Sequence, residues 1–409
     1  MKILILHRVP YPRIEYHRGI DHDLHEVTYL GKQSAIDTLP PQLRCTRIVR
    51  PGLASAYDEA MALLANDPQR FERIISMSEY ELLDAARLRE ALNVEGASLA
   101  AVNLARNKLD MKAAVQARKL RVPRFMSLER YLALQGHVPW RGATVLKPHS
   151  GASSLDVSIH QQPACAFDEI RHKVSQLSLR IEEFQVEEFI SGPIRHFDGL
   201  VQDGQILTLL SSEYVGTCLD YMERGQPLGS WHLETTATMK AWVSAALAAV
   251  QIRNGAFHLE AIMEGDEPVF LEVGNRVGGA DVVATYELAT GIHLPSLELR
   301  IHVEGALDLE HLNLQTPDLG FGWFVFPGHT LSERNYQGLN GAEELRASPV
   351  VVQWNELQPG ARLPEHVTYS AFEAPLAGIV KTADPQQTRA WMQTLFARVS
   401  LAEHLTSVA

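Results

Sequence analysis

Short apolar runs alternate with helical stretches along the first hundred residues of this 409-residue chain. The apolar runs cover residues 2–6, 25–30 and 73–77, and the stretches of helical composition cover residues 57–66 and 79–91. Strands that alternate with helices are typical of a parallel sheet, because each crossover must return the chain to the same end of the sheet. The pattern therefore predicts an N-terminal α/β domain.

Two predicted hairpins, separated by an Ala-rich helix, dominate the middle of the chain. Their strands and the helix cover residues 197–201, 205–210, 239–250, 257–263 and 269–273. Asp203-Gly204 is a strong turn signal in the first hairpin, and residues 264–268 are the predicted loop of the second. The predicted order is a parallel α/β domain, a small mixed domain, an antiparallel domain with two hairpins, and a C-terminal piece.

The composition excludes several classes of protein. Apolar residues make up 46% and charged residues 21%, unlike a disordered, collagenous or coiled-coil chain. With 37 basic and 49 acidic residues the net charge is −12, so the field that attracts nucleic acid or anionic membranes is missing. The three cysteines form no disulfide framework, and no uncharged stretch approaches the roughly 20 residues of a membrane span. The first apolar run is too short for a signal peptide. We therefore expect a cytoplasmic protein without nucleic-acid or membrane partners.

Glu260 and Glu272 each lie within an apolar run of the second hairpin. If residues 264–268 form the loop, Met263 pairs with Val269 and Glu260 lies opposite Glu272. Like charges directly opposite each other on paired strands are destabilising. A divalent cation such as Mg²⁺, which prefers carboxylate and phosphate oxygens, would remove that repulsion. The alternative is that one glutamate faces solvent.

Two positively charged residues, Lys147 and Arg276, lie next to segments of small residues. Lys147 ends a short predicted strand and precedes a loop over residues 148–154, rich in Ser and Gly, whose backbone amides could hold phosphate oxygens. The alternative is an ordinary connecting loop. Arg276 follows Glu272 by four residues between glycines, where a guanidinium could stabilise an anionic transition state or form a structural salt bridge.

The order of these motifs resembles that of the ATP-grasp superfamily over about residues 103–310. The motifs are Lys108 on a helix, Lys147-Pro148 before the loop, the segment 186–192, a glutamate on one strand, and Glu-x-x-x-Arg on the next. The resemblance implies an α/β (in part α+β) ATP-grasp fold with an N-terminal α/β domain and a C-terminal extension. The implied boundaries are 1–102, 103–185 with the phosphate loop, 186–315 with the Mg²⁺ site, and 316–409.

The resemblance also implies roles for individual residues. The ATP contacts it implies are Lys108, Lys147, Ser153, Ser154, Glu187, Glu188, Phe189, Ile190 and His196. Within that set, the backbone around Phe189 would bind adenine and His196 would approach the ribose. Glu260 and Glu272 would hold Mg²⁺, or Mn²⁺ in its place. Arg276 would stabilise anionic intermediates, and His232 lies where such ligases have a loop over the site.

Within the superfamily, Arg-x-Gly-Gly and the C-terminal extension are similar to L-amino-acid ligases, which make dipeptides. The resemblance implies an ADP-forming carbon–nitrogen ligase that activates a carboxylate as an acyl phosphate. Its small-molecule partners would be ATP and amino acids, and a homodimer is left open. Two alternatives stay open: a carboxylase of the biotin carboxylase type that uses bicarbonate, and a non-catalytic nucleotide-binding protein.

Overall fold

The computed structural model of the chain describes residues 1–65, 70–151, 153–307 and 316–402. Parts of four sequence predictions lie outside the described residues: the end of the helix over 57–66, one residue of the loop over 148–154, the end of the third domain and the end of the C-terminal extension. Among the described residues, no helix is both long and apolar enough to cross a bilayer.

The N-terminal segment forms a four-stranded parallel sheet in the order β3-β2-β1-β4. Its strands are β1 (Lys2–Leu6), β2 (Glu26–Gly31), β3 (Thr46–Val49) and β4 (Arg73–Ser76). Its helices are α1 (Tyr11–Ile14), α2 (Gln33–Ile36), α3 (Ala56–Leu64), α4 (Leu82–Leu92) and α5 (Leu99–Leu104). Successive residues of β1 pack into two different core clusters, so both faces of this strand are covered and its sequence is a continuous apolar run.

The parallel sheet predicted from the alternation of elements is confirmed, but the sequence analysis missed β3. This strand lies at the edge of the sheet and is mostly exposed. Its sequence, Thr-Arg-Ile-Val, therefore carries no apolar run that the pattern could detect.

A second, antiparallel sheet follows in the order β5-β8-β6-β7. Its strands are β5 (Phe125–Ser127), β6 (Thr144–Pro148), β7 (Ser158–His160) and β8 (Phe184–Glu188). The helices around it are α6 (Lys108–Ala117), α7 (Leu128–Ala133) and α8 (Pro163–Gln176). Asn107 caps α6 by accepting from the backbone N–H groups of Leu109 and Asp110, which places Lys108 at the first position of that helix.

The largest sheet has eight antiparallel strands in the order β13-β12-β9-β10-β11-β14-β17-β16. The strands are β9 (Ile194–Gln202), β10 (Gln205–Val215), β11 (Leu228–Leu233), β12 (Gly255–Glu264), β13 (Glu267–Gly274), β14 (Phe321–Phe326), β16 (Val351–Glu356) and β17 (Leu376–Lys381). The remaining elements are α9 (Cys218–Arg224), α10 (Ala237–Ala249), α11 (Val282–Thr290), α12 (Leu294–Glu304), α13 (Glu343–Arg346), α14 (Pro385–Arg398), β15 (Leu339–Asn340) and β18 (Ser400–Leu401). Three strands of the large sheet thus come from the segment after residue 316.

Helices cover both faces of the large sheet. On one face α10 packs against β9 and β12, and on the other α11 and α12 pack against the strands around β10 and β14. Leu299 and Val303 of α12 also belong to the core of the N-terminal sheet, so this helix joins the two sheets.

The second hairpin has a shorter turn than predicted. Glu264 pairs with Glu267 around Gly265-Asp266, and Met263 pairs with Pro268 rather than with Val269. The predicted loop wrongly included Glu264, Glu267 and Pro268, and the proline is tolerated because β13 is an edge strand. A register shift between Glu260 and Ala261 restores the alignment, so Glu260 does lie opposite Glu272.

Candidate functional site

A cleft of about 290 Å³ lies between the second sheet and one edge of the large sheet. Strands β6 and β8 form one wall, and β12 and β13 form the other. Most of the predicted site residues line it: Lys108, Lys147, Ser154, Glu187, Glu188, Phe189, Ile190, Glu260 and Glu272. Its volume lies near the lower end of the range for small-molecule sites.

The two glutamates of the second hairpin face this cleft together. Glu272 pairs with the ammonium group of Lys108 at 3.2 Å. Burial opposes the ionisation of Glu272, but Lys108 and Lys147 outweigh it and lower its pKa to about 2. Glu260 accepts hydrogen bonds from Tyr214 at 2.8 Å and from His258 at 3.3 Å, both at Oε1. Among the described residues no donor reaches its Oε2 within hydrogen-bond distance. Two carboxylates, one of them with an open oxygen, are the donor set that Mg²⁺ prefers, so the residues present fit this ion.

Lys147 belongs to a buried triad that the sequence analysis did not detect. Its Nζ lies 2.7 Å from Oε1 of Glu187, and the Nζ of Lys112 pairs with Oε2 of the same carboxylate. Burial lowers the pKa of Lys112 to about 7, although Glu187 acts in the opposite direction. For Lys147 burial also disfavours the charge, but Glu187 and Glu272 outweigh it and raise the pKa. The triad therefore holds a charged Lys147 at the wall of the cleft.

The position of Lys112 carried a sequence signal. It lies four residues after Lys108, one helical turn away and on the same face of α6.

Lys108 also ties the small-residue loop to the cleft. Its Nζ donates to the carbonyl of Gly151 at 2.6 Å, and its backbone N–H donates to that of His149 at 2.7 Å. Ser153 and Ser154 both have positive φ, 59° and 55°, a conformation that costs energy for residues other than glycine. Ser154 lines the cleft and Ser153 is exposed.

The segment after β8 forms an apolar wall of the cleft. Phe189 is 38% exposed there, so part of its ring is accessible from the solvent. The backbone N–H groups of Glu188 and Phe189 already donate to the carbonyls of Arg124 and Ala143. Among the described residues, the N–H of Ile190 has no partner, so it is a backbone donor of this segment that a bound base could use.

Arg276 does not line the cleft and lies in a small adjoining cavity with Lys108 and Glu272. Its Nε donates to Oε2 of Glu79 at 2.5 Å, and its Nη1 donates to the carbonyl of Val277 at 2.7 Å. Burial opposes the charge of Arg276, but Glu79 outweighs it and raises the pKa of the guanidinium.

Glu79 comes from the N-terminal segment and also pairs with Arg106. The sequence analysis missed it. The available signal was its place just after β4, because the carboxyl ends of parallel strands are where α/β sheets bind ligands.

Neither predicted histidine lines the cleft, although His196 pairs across the strands with Glu260, which does. His196 is 1% exposed, and its ring nitrogens contact Asp198 at 2.5 Å and Ser230 at 2.6 Å. His232 is also buried, its Nδ1 lies 3.0 Å from the hydroxyl of Ser212, and burial lowers its pKa to about 4. The structure places His232 on strand β11 rather than in a loop, and the ribose contact of His196, on strand β9, stays a prediction.

Comparison with known proteins gives a fold and a distant relative. No family model matches the chain. The L-arginine-specific L-amino acid ligase of Bacillus subtilis is 25% identical over 250 residues, which are 57% of this chain and 58% of that protein. The match thus spans little more than half of the relative's length.

Two solved structures align along nearly the whole chain. The L-amino acid ligase from Bacillus licheniformis has a TM-score of 0.72 at 19% identity and covers 98% of each chain. A biotin carboxylase from Campylobacter jejuni, in a β,γ-ATP complex, has a TM-score of 0.62 at 13% identity and covers 98% of this chain and 92% of that one. At these identities the likeness concerns the fold.

Proposed function

Starting from the ATP-grasp fold that this chain shares with those solved structures, we propose that the protein is an ATP-dependent ligase that joins a carboxylate to an amine and releases ADP and phosphate. The observation that carries the proposal is the convergence of Glu260, Glu272, Lys108 and Lys147 on one cleft. These residues come from three separate parts of the chain. Two acidic groups beside two ammonium groups suit a metal–nucleotide complex, in which cation and polyphosphate need opposite charges at neighbouring points.

The nucleotide lies in the cleft with its base against Phe189 and Ile190 and its phosphates near the two lysines. Lys147 and Lys108 donate to phosphate oxygens, and the loop around Ser154 covers them. Glu260 and Glu272 hold Mg²⁺, which, when bound, offsets the repulsion between the phosphates and an incoming carboxylate.

The reaction has two transfers. An oxygen of the substrate carboxylate attacks the γ-phosphorus, and the bond to the bridging oxygen breaks as ADP leaves. The amine then attacks the acyl carbon, loses a proton, and phosphate leaves with the electron pair of the carbon–oxygen bond. Arg276, whose Nη2 has no partner among the described residues, stabilises the anionic oxygens. A sheltered cleft matters because water would hydrolyse the acyl phosphate.

The finer proposal is that both substrates are amino acids, so that the product is a dipeptide. It is supported by the names of the Bacillus subtilis relative and of the Bacillus licheniformis structure. The biotin carboxylase likeness keeps a bicarbonate-dependent reaction as the second outcome to test.

A phosphate-release screen over pairs of amino acids with Mg-ATP tests both levels. Phosphate and dipeptide in equal amounts, measured by mass spectrometry, would support the finer proposal. Release that requires bicarbonate, or nucleotide binding without release for any pair, would overturn it in favour of the carboxylase or the non-catalytic reading.

Glu272→Gln should abolish release in this screen. Glu264→Gln is the matched control, because Glu264 lies on the same hairpin and pairs with Arg121 at the surface. Equal loss in both variants would contradict the assignment of Glu272 to the metal.

A further inference from the structure

The strongest unassigned cluster is a buried chain of polar side chains that ends at Glu260. Asp198 on β9 pairs directly with His258 on the neighbouring strand β12. Its Oδ1 lies 2.8 Å from Nδ1 of His258, and Nε2 of the same ring lies 3.3 Å from Oε1 of Glu260. His258 and Glu260 are two residues apart and therefore lie on the same face of the strand.

Asp198 is itself held from several sides. Its Oδ2 contacts Nδ1 of His196 at 2.5 Å, and a Cβ added at Gly278 would lie 2.8 Å from Oδ1. The carboxylate is almost fully buried. Asp198 therefore has one preferred position, and this position determines the orientation of the His258 ring.

We propose that Asp198 and His258 are positioning residues that hold Glu260 in the rotamer in which its other oxygen binds the metal of the metal–nucleotide complex. The proposal rests on the proposed function for the identity of Glu260 as a ligand. Carboxylate and histidine partners behind a metal ligand restrict its rotation, and their removal typically weakens metal affinity about 10–100-fold. Tyr214, which donates to the same oxygen of Glu260, supports the carboxylate from the other side.

The cluster has a competing interpretation. His196, Asp198 and His258 bring three potential ligand atoms within 4.8 Å of one another, so they could hold an ion of their own. Hydrogen bonds account for all of these atoms, however, because the chain continues from His196 to Ser230 and from His258 to Glu260. A relay of hydrogen bonds, from Asp198 through His258 to Glu260, accounts for these contacts without an ion.

The test measures binding of Mn²⁺ and ADP, with Mn²⁺ as a paramagnetic substitute for Mg²⁺. Asp198→Asn and His258→Gln should weaken Mn²⁺–ADP binding about 10–100-fold and change the Mn²⁺ resonance spectrum. Thr388→Val is the matched control, because it removes a buried hydrogen bond, to the carbonyl of Gly320, that lies outside this network. It should keep wild-type affinity and spectrum.

Tyr214→Phe keeps the proposal testable if the buried variants do not fold. It removes one hydroxyl from the same Glu260 oxygen and keeps the ring, so it should weaken Mn²⁺–ADP binding at a nearly unchanged melting temperature. Wild-type affinity in His258→Gln, Asp198→Asn and Tyr214→Phe would overturn the proposal. So would a second Mn²⁺ ion per chain that disappears in Asp198→Asn, since that ion would occupy the histidine cluster.

The result separates this inference from the proposed function. A wild-type protein that binds Mn²⁺–ADP but releases no phosphate with any substrate pair would refute the proposed ligase activity. The Mn²⁺–ADP affinities of the variants would still test whether Asp198 and His258 position Glu260. A working ligase whose variants bind Mn²⁺–ADP normally would refute the relay alone.

Discussion

Replacing Glu79 by glutamine is the sharpest perturbation of the candidate site, because one carboxylate joins the N-terminal sheet to Arg276. The side chains of Glu79, Arg106 and Arg276 are only 12%, 8% and 26% exposed. Glu79→Gln keeps the shape but removes the carboxylate charge that pairs with both guanidinium groups. Breaking a buried ion pair from one side costs about 3–5 kcal/mol. With an unfolding entropy of about 2.1 cal/mol/K per residue, each kcal/mol shifts the melting temperature of a 409-residue chain by about 1.2 °C, so it should fall by about 4–6 °C.

The assay is calorimetric melting at pH 7 together with nucleotide binding and phosphate release. Arg276 loses the acceptor that orients its Nε, so the maximal rate should fall by about 10²-fold while nucleotide affinity stays close to that of the wild type. Glu365→Gln, in the exposed pair with Arg362, is the control and should leave the melting temperature nearly unchanged. Because Arg106 contributes one of the two unbalanced charges, adding Arg106→Gln to Glu79→Gln should cost less than the sum of the single variants.

The pH dependence gives the same prediction an independent check. Burial opposes the ionisation of Glu79, but Arg276 and Arg106 outweigh it, so its pKa is lowered in the folded protein. The stabilisation is therefore complete above the unfolded pKa of about 4.3 and is lost as the pH falls through the lower folded value. The melting difference between wild type and Glu79→Gln should shrink in that acid range. A variant that melts with the wild type at pH 7 would refute this account of the ion pair.

Three further predictions concern neighbouring positions. Lys147→Ala should weaken ATP binding by about 1.5–3 kcal/mol, as for a lost charge-assisted hydrogen bond. Lys240→Ala, at an exposed lysine, is the control and should bind ATP like the wild type. Equal affinities of the two variants, measured by calorimetry, would remove Lys147 from the phosphate site. Arg276→Ala should lower the maximal phosphate-release rate by about 10²–10³-fold and keep the ATP affinity. Arg276→Lys should not restore the rate, because an ammonium group lacks the planar, two-pronged donor geometry of a guanidinium. A loss of ATP affinity with a normal rate at saturation would place Arg276 in the nucleotide site. Gly278→Ala should destabilise the protein by about 1–3 kcal/mol, because the added Cβ would lie 2.7 Å from Cγ1 of Val282. At Gly279 an added Cβ meets no atom within 4 Å, so Gly279→Ala should melt like the wild type. Equal melting temperatures of the two variants would contradict this packing.

Much of the site could be predicted because it depends on local pattern. The alternation of residues along a strand determines which side chains share a face, so two glutamates at matching places in one hairpin were predicted to lie opposite each other. The parallel sheet and the ATP-grasp order of motifs could be predicted for the same reason, because both are read from short segments of the sequence. The error at Pro268 was also local, and a register shift of one residue compensated for it. The boundaries of the four predicted domains stay predictions.

Contacts between distant parts of the chain left no such pattern. Glu79 and Arg276 are 197 residues apart, and their meeting depends on α12 packing between the N-terminal sheet and the large sheet. His196 is buried among Tyr214, Ser230 and His258 of other strands in the large sheet, which the sequence of its own strand does not reveal. The sequence by itself thus determined the opposed glutamates of the second hairpin and the two lysines of the motif order. Only the tertiary structure decided which arginine meets which carboxylate and which histidines stay inside, because these depend on how separately formed sheets and helices pack against one another.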